Sequence, residues 1–151
     1  MSKSIDREFV WVTDEALDGL RKRIGVRIGR TLEPWCYEST RDNIRHYAHG
    51  IGDDNPLWCD PDYGRTTPYG DIIAPPSFIF ACSRIISGYV GGLPGVHAMW
   101  AGCDFNWMKP IPRNIEISTE AYLKDLIEHD TKFAGRSDQQ IHHANFFVPT
   151  R

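Results

Sequence analysis

Apolar residues recur along the chain in two rhythms, one near 3.6 residues and one of two. In TDEALDGLRKRIG, residues 13–25, Ala16, Leu17, Leu20 and Ile24 share one helical face. Thr13 stands where an N-cap belongs, acidic residues fill the first turn and basic ones the last, and Gly25 follows, so a short outer helix is expected. VRIGRTLEPW, residues 26–35, alternates weakly, as an edge strand ending near Pro34 would. A second helix is predicted from RDNIRHYAHGIG, residues 41–52. There Ile44, Tyr47, Ala48 and Ile51 fall at i, i+3, i+4 and i+7, Thr40 can cap the start, and Gly50 and Gly52 close the end.

A third helix is predicted from IIAPPSFIFACSRIISGYVGG, residues 72–92, with paired prolines at its start and paired glycines at its stop. Its apolar residues, from Phe78 to Val90, cover most of the circumference and leave Ser83, Arg84 and Ser87 for water, so protein must nearly surround it. Three strands are expected after it, over residues 96–111, 115–130 and 138–148. The middle one alternates clearly through Ile115, Ile117, Thr119, Ala121 and Leu123. In the first, Trp100 lies on one parity while Met99, Phe105 and Trp107 lie on the other, so both faces are apolar. One face should cover the helix and the other needs a partner domain or a ligand. Periodicity alone gives α+β.

Composition narrows the function. A length of 151 residues, 41% of them hydrophobic, suits one soluble domain. The net charge of −3, from evenly spread acids and bases, offers no basic face, so neither nucleic acid nor a membrane surface is an expected partner. No apolar run reaches bilayer length and the N-terminus is too charged for a secretory segment, which points to the cytoplasm. Cys36, Cys59, Cys82 and Cys103 lie too far apart for a zinc or redox motif and read as small buried thiols. His142 and His143 would face opposite sides of a strand, so no metal and no cofactor is expected.

The informative stretch is GDDNPLWCDPDY, residues 52–63, at the head of a loop rich in proline, glycine and aspartate that runs to Gly70, with no regular structure expected beyond a turn or short helix. Such long loops in compact domains are usually functional. Within YAHGIGDDNPLWCDPDYGRTTPYGDIIAPPSF, an aspartate stands two residues before Asn-Pro-Leu, another follows, and a turn leads into the apolar helix. This arrangement, with WAGCDFNWMKPI further on, resembles the signature of MaoC-like acyl-CoA dehydratases and (R)-specific enoyl-CoA hydratases, over roughly residues 38–147. The resemblance implies a hotdog fold, an antiparallel sheet wrapped around a long central helix, as a single domain over residues 1–151. A hotdog sheet calls for a further strand after Val148, so either that strand is missing or strand four lies at a protected edge.

It also implies reversible hydration of a 2-enoyl thioester carried on coenzyme A or an acyl carrier protein. Asp53 then matches the catalytic aspartate and Asn55 its neighbour. That chemistry needs a base for water, a proton for the α-carbon and donors for the thioester oxygen. Two positions depart from the pattern. Trp58 stands where the family has histidine, and an indole donates a hydrogen bond but exchanges no proton near neutral pH. Ala74 and Pro75 replace the family's His-Gly, and proline has no N–H for an oxyanion.

These departures resemble the non-catalytic half of two-part members, in which a second hotdog domain carries the working histidine. Asp53 would orient or deprotonate water, Trp58 would line the acyl channel or fill a core gap, and Ala74, Pro75 and Ser77 would border the thioester. Lys109 and Arg113 are candidates for the phosphates of coenzyme A, with a solvated role as the alternative. Asp53 and Asn55 equally suit a loop that bonds its own backbone, and His46 and His49, at i and i+3 on the second helix, could reach the loop but read rather as one solvent-exposed and one locally packed side chain than as a catalytic substitute. Two rival readings remain: a thioester-binding or scaffold subunit without chemistry, and a thioesterase, ranked last because residues 76–90 contain no acid.

Overall fold

The computed structural model describes residues 12–28, 35–83, 93, 96, 98–133 and 135–149. Helix α1, Asp14–Arg21, begins at the expected cap, where the Thr13 hydroxyl accepts the Ala16 N–H at 3.2 Å. Helix α2, Arg41–Gly50, is capped in the same way by Thr40, which accepts from Asn43. The remaining elements are α3 (Pro56–Cys59), α4 (Pro61–Thr66), β1 (Ile73–Ala74), α5 (Ile79–Cys82), β2 (Ile111–Pro112), β3 (Ser118–Thr131) and β4 (Gly135–Phe147). A single 3-10 turn, Pro76–Phe78, leads from β1 into α5.

Strands β3 and β4 form a long antiparallel hairpin, and β1 pairs antiparallel with β2. Directly opposed residues share a face. Thus Ala121, Leu123, Ala144 and Phe146 point inward with His142, while Tyr122 and His143 stack on the outside with ring centroids 5.2 Å apart. Before β3, residues 37–39 run along 114–117 as a second short pairing. Ser39 is fully buried there; its hydroxyl donates to Pro112 O at 2.6 Å and accepts the Ile115 N–H at 3.1 Å. A buried hydroxyl is tolerated because its bonds are made.

The main core gathers Ile44 of α2, Ile72, Ala74, Phe78, Ile79, Cys82, Ile111 and Ile117. A smaller cluster joins Leu17 and Leu20 of α1 to Leu123. Ion pairs from Arg21 to Glu128 and from Arg136 to Asp14 and Glu128 run over the same contact. These pairs are exposed and screened by water, so they contribute little, against about 1.5–3 kcal/mol for each buried leucine. Burial therefore holds α1 to the hairpin.

Two expectations are corrected. Among the described residues of 26–35, the weak alternation yields one isolated bridge, Arg27 against Tyr122 of β3, with residues 29–34 outside the described residues. The loop from 52 to 70 carries short helices, as its expectation allowed, two of them, because Asn55 and Asp60 each cap a helix whose first residue is proline. Among the described residues of the expected strand over 96–111, only Ile111 is in a strand; residues 98–110 are exposed and unladdered. Its rings pack on one another and on α5 instead: the centroids of Phe105 and Trp107 lie 5.3 Å apart, and Trp100 lies 5.4 Å from Phe80 of α5. With apolar side chains on both parities, neither side of this segment is the single inner face that pins a strand to one register. Of the predicted helix over 72–92, the described part begins at the paired prolines and runs to Cys82; Ser83 is extended, and residues 84–92 lie outside the described residues.

His142 is half-buried opposite Leu123. Burial first, and then the Arg23 charge, pull its imidazole below the ordinary histidine range, against a smaller upward pull from the Gln140 backbone. The unfolded chain therefore takes up a proton near pH 6.5 while the folded chain resists until lower pH. Stability should be full above about pH 7 and fall as pH drops from about 6.5 through the folded value. Urea midpoints measured across this window should decline, and His142→Gln should flatten the decline.

Candidate functional site

The chain leaving α2 assembles the site. Gly52 takes a positive φ of 73° that lets the helix end cheaply, and the Asp53 N–H returns to Ala48 O at 2.9 Å. Asp53 Oδ1 then accepts the Asn55 N–H at 3.1 Å, an Asx turn. Asn55 Oδ1 in turn accepts the Leu57 N–H at 2.9 Å and starts α3 with Pro56 as its first residue. One turn of helix carries Trp58 back over the loop, where its Nε1–H donates to Asp53 Oδ2 at 2.9 Å. The indole also packs against the main core.

Each oxygen of the Asp53 carboxylate is thus bonded to a donor that cannot pass a proton on, one an amide and one an indole. The half-buried Cys59 sits beside it, with Sγ 3.9 Å from Asp53 O. Burial first, and then Asp53 and Asp54, push the Cys59 thiol up, so it stays protonated and is a poor nucleophile. Cys82, deep in the core, is pushed up to about 12, mainly by burial. Cys36 is half-buried and Cys103 is exposed, so only Cys82 among the four is the fully buried thiol that composition suggested. His46 and His49 are both exposed, and His46 meets Arg45 at 3.0 Å. Among the described residues no imidazole bonds the Asp53 carboxylate.

The turn bordering the core is short of donors. Ala74 and Pro75 are buried, Pro75 and Pro76 carry no N–H, and the Phe78 N–H is spent on Pro75 O at 2.8 Å. Ser77 is half-buried, and its carbonyl accepts the Tyr47 hydroxyl at 2.6 Å. Tyr47 was legible only as a member of an apolar helix face. The clue to its second role is that a tyrosine packed inward must find a partner for its hydroxyl.

Arg113 and Lys109 lie elsewhere. Arg113 is paired with Asp71 at 2.6 Å and lines a shallow recess of about 240 Å³ with Tyr69, Ile73, Pro110 and Pro112. Lys109 is exposed. The structure therefore joins Asp53, Asn55 and Trp58 in one hydrogen-bonded loop, and places Arg113 in the recess beside Asp71 and Ile73. No helix of the described residues is long and apolar enough to cross a membrane.

Residues 26–141 match the family described as FAS1-like, dehydratase domain region. A UPF0336 protein of Streptomyces coelicolor is 36% identical over 112 residues, covering 68% of this chain and 75% of that protein. Another, of Streptomyces griseus subsp. griseus, is 31% identical over the same length and coverage. A third, of Streptomyces avermitilis, is 41% identical over 64 residues, and the match spans only 43% of that relative. In fold the chain is similar to the monoamine oxidase regulatory protein of Archaeoglobus fulgius, with a TM-score of 0.55 at 16% identity over 85% of this chain and 92% of that one. It is also similar to a chain of the ChsH1-ChsH2 complex of Mycobacterium tuberculosis, with a TM-score of 0.57 at 17% identity over 87% and 91%. The fold is accordingly the hotdog, α+β. The chain belongs to the FAS1-like dehydratase-region family.

Proposed function

We propose that this chain is one half of a two-hotdog hydratase or dehydratase acting on 2-enoyl thioesters, and that a second hotdog domain supplies the histidine and the oxyanion donor. The observation that carries this reading is the bond from Trp58 Nε1 to Asp53 Oδ2 at 2.9 Å. An indole occupies the place where proton exchange would be needed, and Pro75 occupies the place where an amide would be needed. In this chain Asp53 and Asn55 set the loop, and the Ala74 to Phe78 turn borders the acyl group.

The exposed aromatic segment supports a partner. Met99 and Met108 are each 81% exposed, beside the half-exposed Trp100, Phe105 and Trp107. An apolar surface of that kind marks an interaction site. The similar ChsH1-ChsH2 structure contains two differently named chains in one complex, which is consistent with a paired assembly here.

Purified chain assayed alone with crotonyl-CoA should give no hydration above the uncatalysed rate. Robust hydration that vanishes in Asp53→Asn would overturn the need for a partner. The scaffold reading is favoured by the engagement of Asp53 within its own loop. It predicts that Asp53→Ala leaves the activity of a reconstituted assembly intact, whereas a role for Asp53 in orienting water predicts a loss of about a hundredfold or more.

A further inference from the structure

We infer that this chain pairs with a second copy of itself along the open edge of β4, antiparallel about a twofold axis at Ala144. The contact uses no residue of the exposed aromatic segment, so it stands apart from the second hotdog domain proposed above.

Strand β4 is the unfinished side of the hairpin. Among the described residues it pairs with β3 alone, and it contains no buried residue. Its inward Ala144 is only half-buried, although Ala121 directly opposite is 3% exposed. Which main-chain groups it leaves open follows from β3. The Gly25 and Ile28 N–H groups donate to Leu123 O at 2.9 Å and Ala121 O at 2.8 Å, on the side of β3 away from β4. Consecutive residues of a strand turn to opposite edges, so Tyr122 turns to β4 and bonds His143. His142, Ala144 and Phe146 therefore aim their N–H and C=O groups at the open edge.

An edge of this kind is usually blunted by lysine, by proline or by an inward-pointing charge. Residues 139–148 contain no lysine and no proline. Their one inward titratable group, His142, is held toward the neutral form by burial.

The strand matches itself. Laid antiparallel on its own copy with Ala144 opposite Ala144, it sets Ile141 against Phe147, His142 against Phe146 and His143 against Asn145, and the twofold repeats each pair. Aliphatic–aromatic pairs of this kind stabilise a ladder, and no like charges are opposed. Arg136 and Asp138 fall outside the overlap. Other axes are poorer. Centred on His143, the pairing sets Phe146 and Phe147 against Gln140 and Gln139; centred on His142, it sets Phe146 against Asp138. The favoured axis also covers the half-exposed inward row, since Ala144 and Phe146 of the two copies then lie in one continuous sheet.

A strand edge without a broad face gives a weak contact, so the dimer should form with rising concentration. Sedimentation equilibrium of the full chain, from about 1 μM to about 1 mM, should show the weight-average mass climb from monomer towards dimer. A monomer mass throughout would overturn the inference, and this measurement needs no variant to fold. The register is tested by Ile141→Glu and Phe147→Lys, both on the outer face of β4 and not buried. Each alone sets a charge against an apolar side chain and should weaken the dimer about tenfold, whereas the two together set opposite charges against each other and should recover most of it. Far-UV circular dichroism checks that the variants fold. Single variants that dimerise as well as the unmodified chain, or a folded double variant no tighter than the singles, would overturn the proposed pairing. No thioester enters these measurements, so their failure is distinguishable from failure of the crotonyl-CoA assay.

Discussion

Phe78→Ala is expected to lower the unfolding free energy by about 3–5 kcal/mol, the usual cost of emptying a fully packed aromatic site. Phe78 is 0% exposed and sits where the 3-10 turn becomes α5. Its ring meets Tyr47 edge-on, with centroids 5.5 Å apart and planes at 86°. Tyr47 also bonds the Ser77 carbonyl, so the aromatic pair and the hydrogen bond tie α2 to the same turn. Removing the ring leaves a cavity among Ile44, Ile72 and Ile117 and releases one of those ties. Since a domain of this size is stable by about 5–15 kcal/mol, the variant should stand near its threshold. Urea unfolding followed by circular dichroism measures this, and a loss below about 1 kcal/mol would mean that the turn does not anchor the core.

Gly64→Ala should cost about 2–3 kcal/mol by overpacking, although alanine is the better helix former by about 1 kcal/mol. A Cβ on Gly64 would lie 2.5 Å from Ile72 N and 2.6 Å from Asp71 C, both backbone atoms that cannot rotate aside. Helix α4 touches the chain entering β1 through this one hydrogen-sized gap. Gly50→Ala provides the control, because nothing lies within 4 Å of a Cβ there and propensity alone decides the outcome. The two alanines should move the urea midpoint in opposite directions. If both are neutral, α4 does not pack as described.

Local signals made α1 and α2 legible, since a threonine cap and a following apolar stripe are read within a dozen residues. The hairpin was legible for a similar reason: alternation is a property of each strand by itself. The α3 and α4 helices were signalled twice, by Asn55-Pro56 and by Asp60-Pro61, but the same pairs also mark turns, and one turn of helix leaves no apolar period to separate them. A helix at α3 is what turns Trp58 back toward Asp53, so the contact between them stayed hidden with it. The Asp71–Arg113 pair could not be read, because it joins segments that meet only through the β1 and β2 pairing. The aromatic segment misled for a different reason. Alternation predicts a strand clearly only when one parity is polar throughout, and in residues 98–108 Asp104 and Asn106 share their parity with Trp100 and Met108.

In β3 the pairing skips Lys124, so that Leu123 opposes His142 and Asp125 opposes Ile141. The odd-numbered inward series ending at Leu123 thereby hands over to Leu126, which reaches the α1 cluster from the other parity. A strand with such a slack position can gain or lose a residue there without turning itself inside out. Among relatives, length changes in this hairpin should therefore concentrate at the bulge, while the segment between Ser118 and Leu123 keeps a constant count.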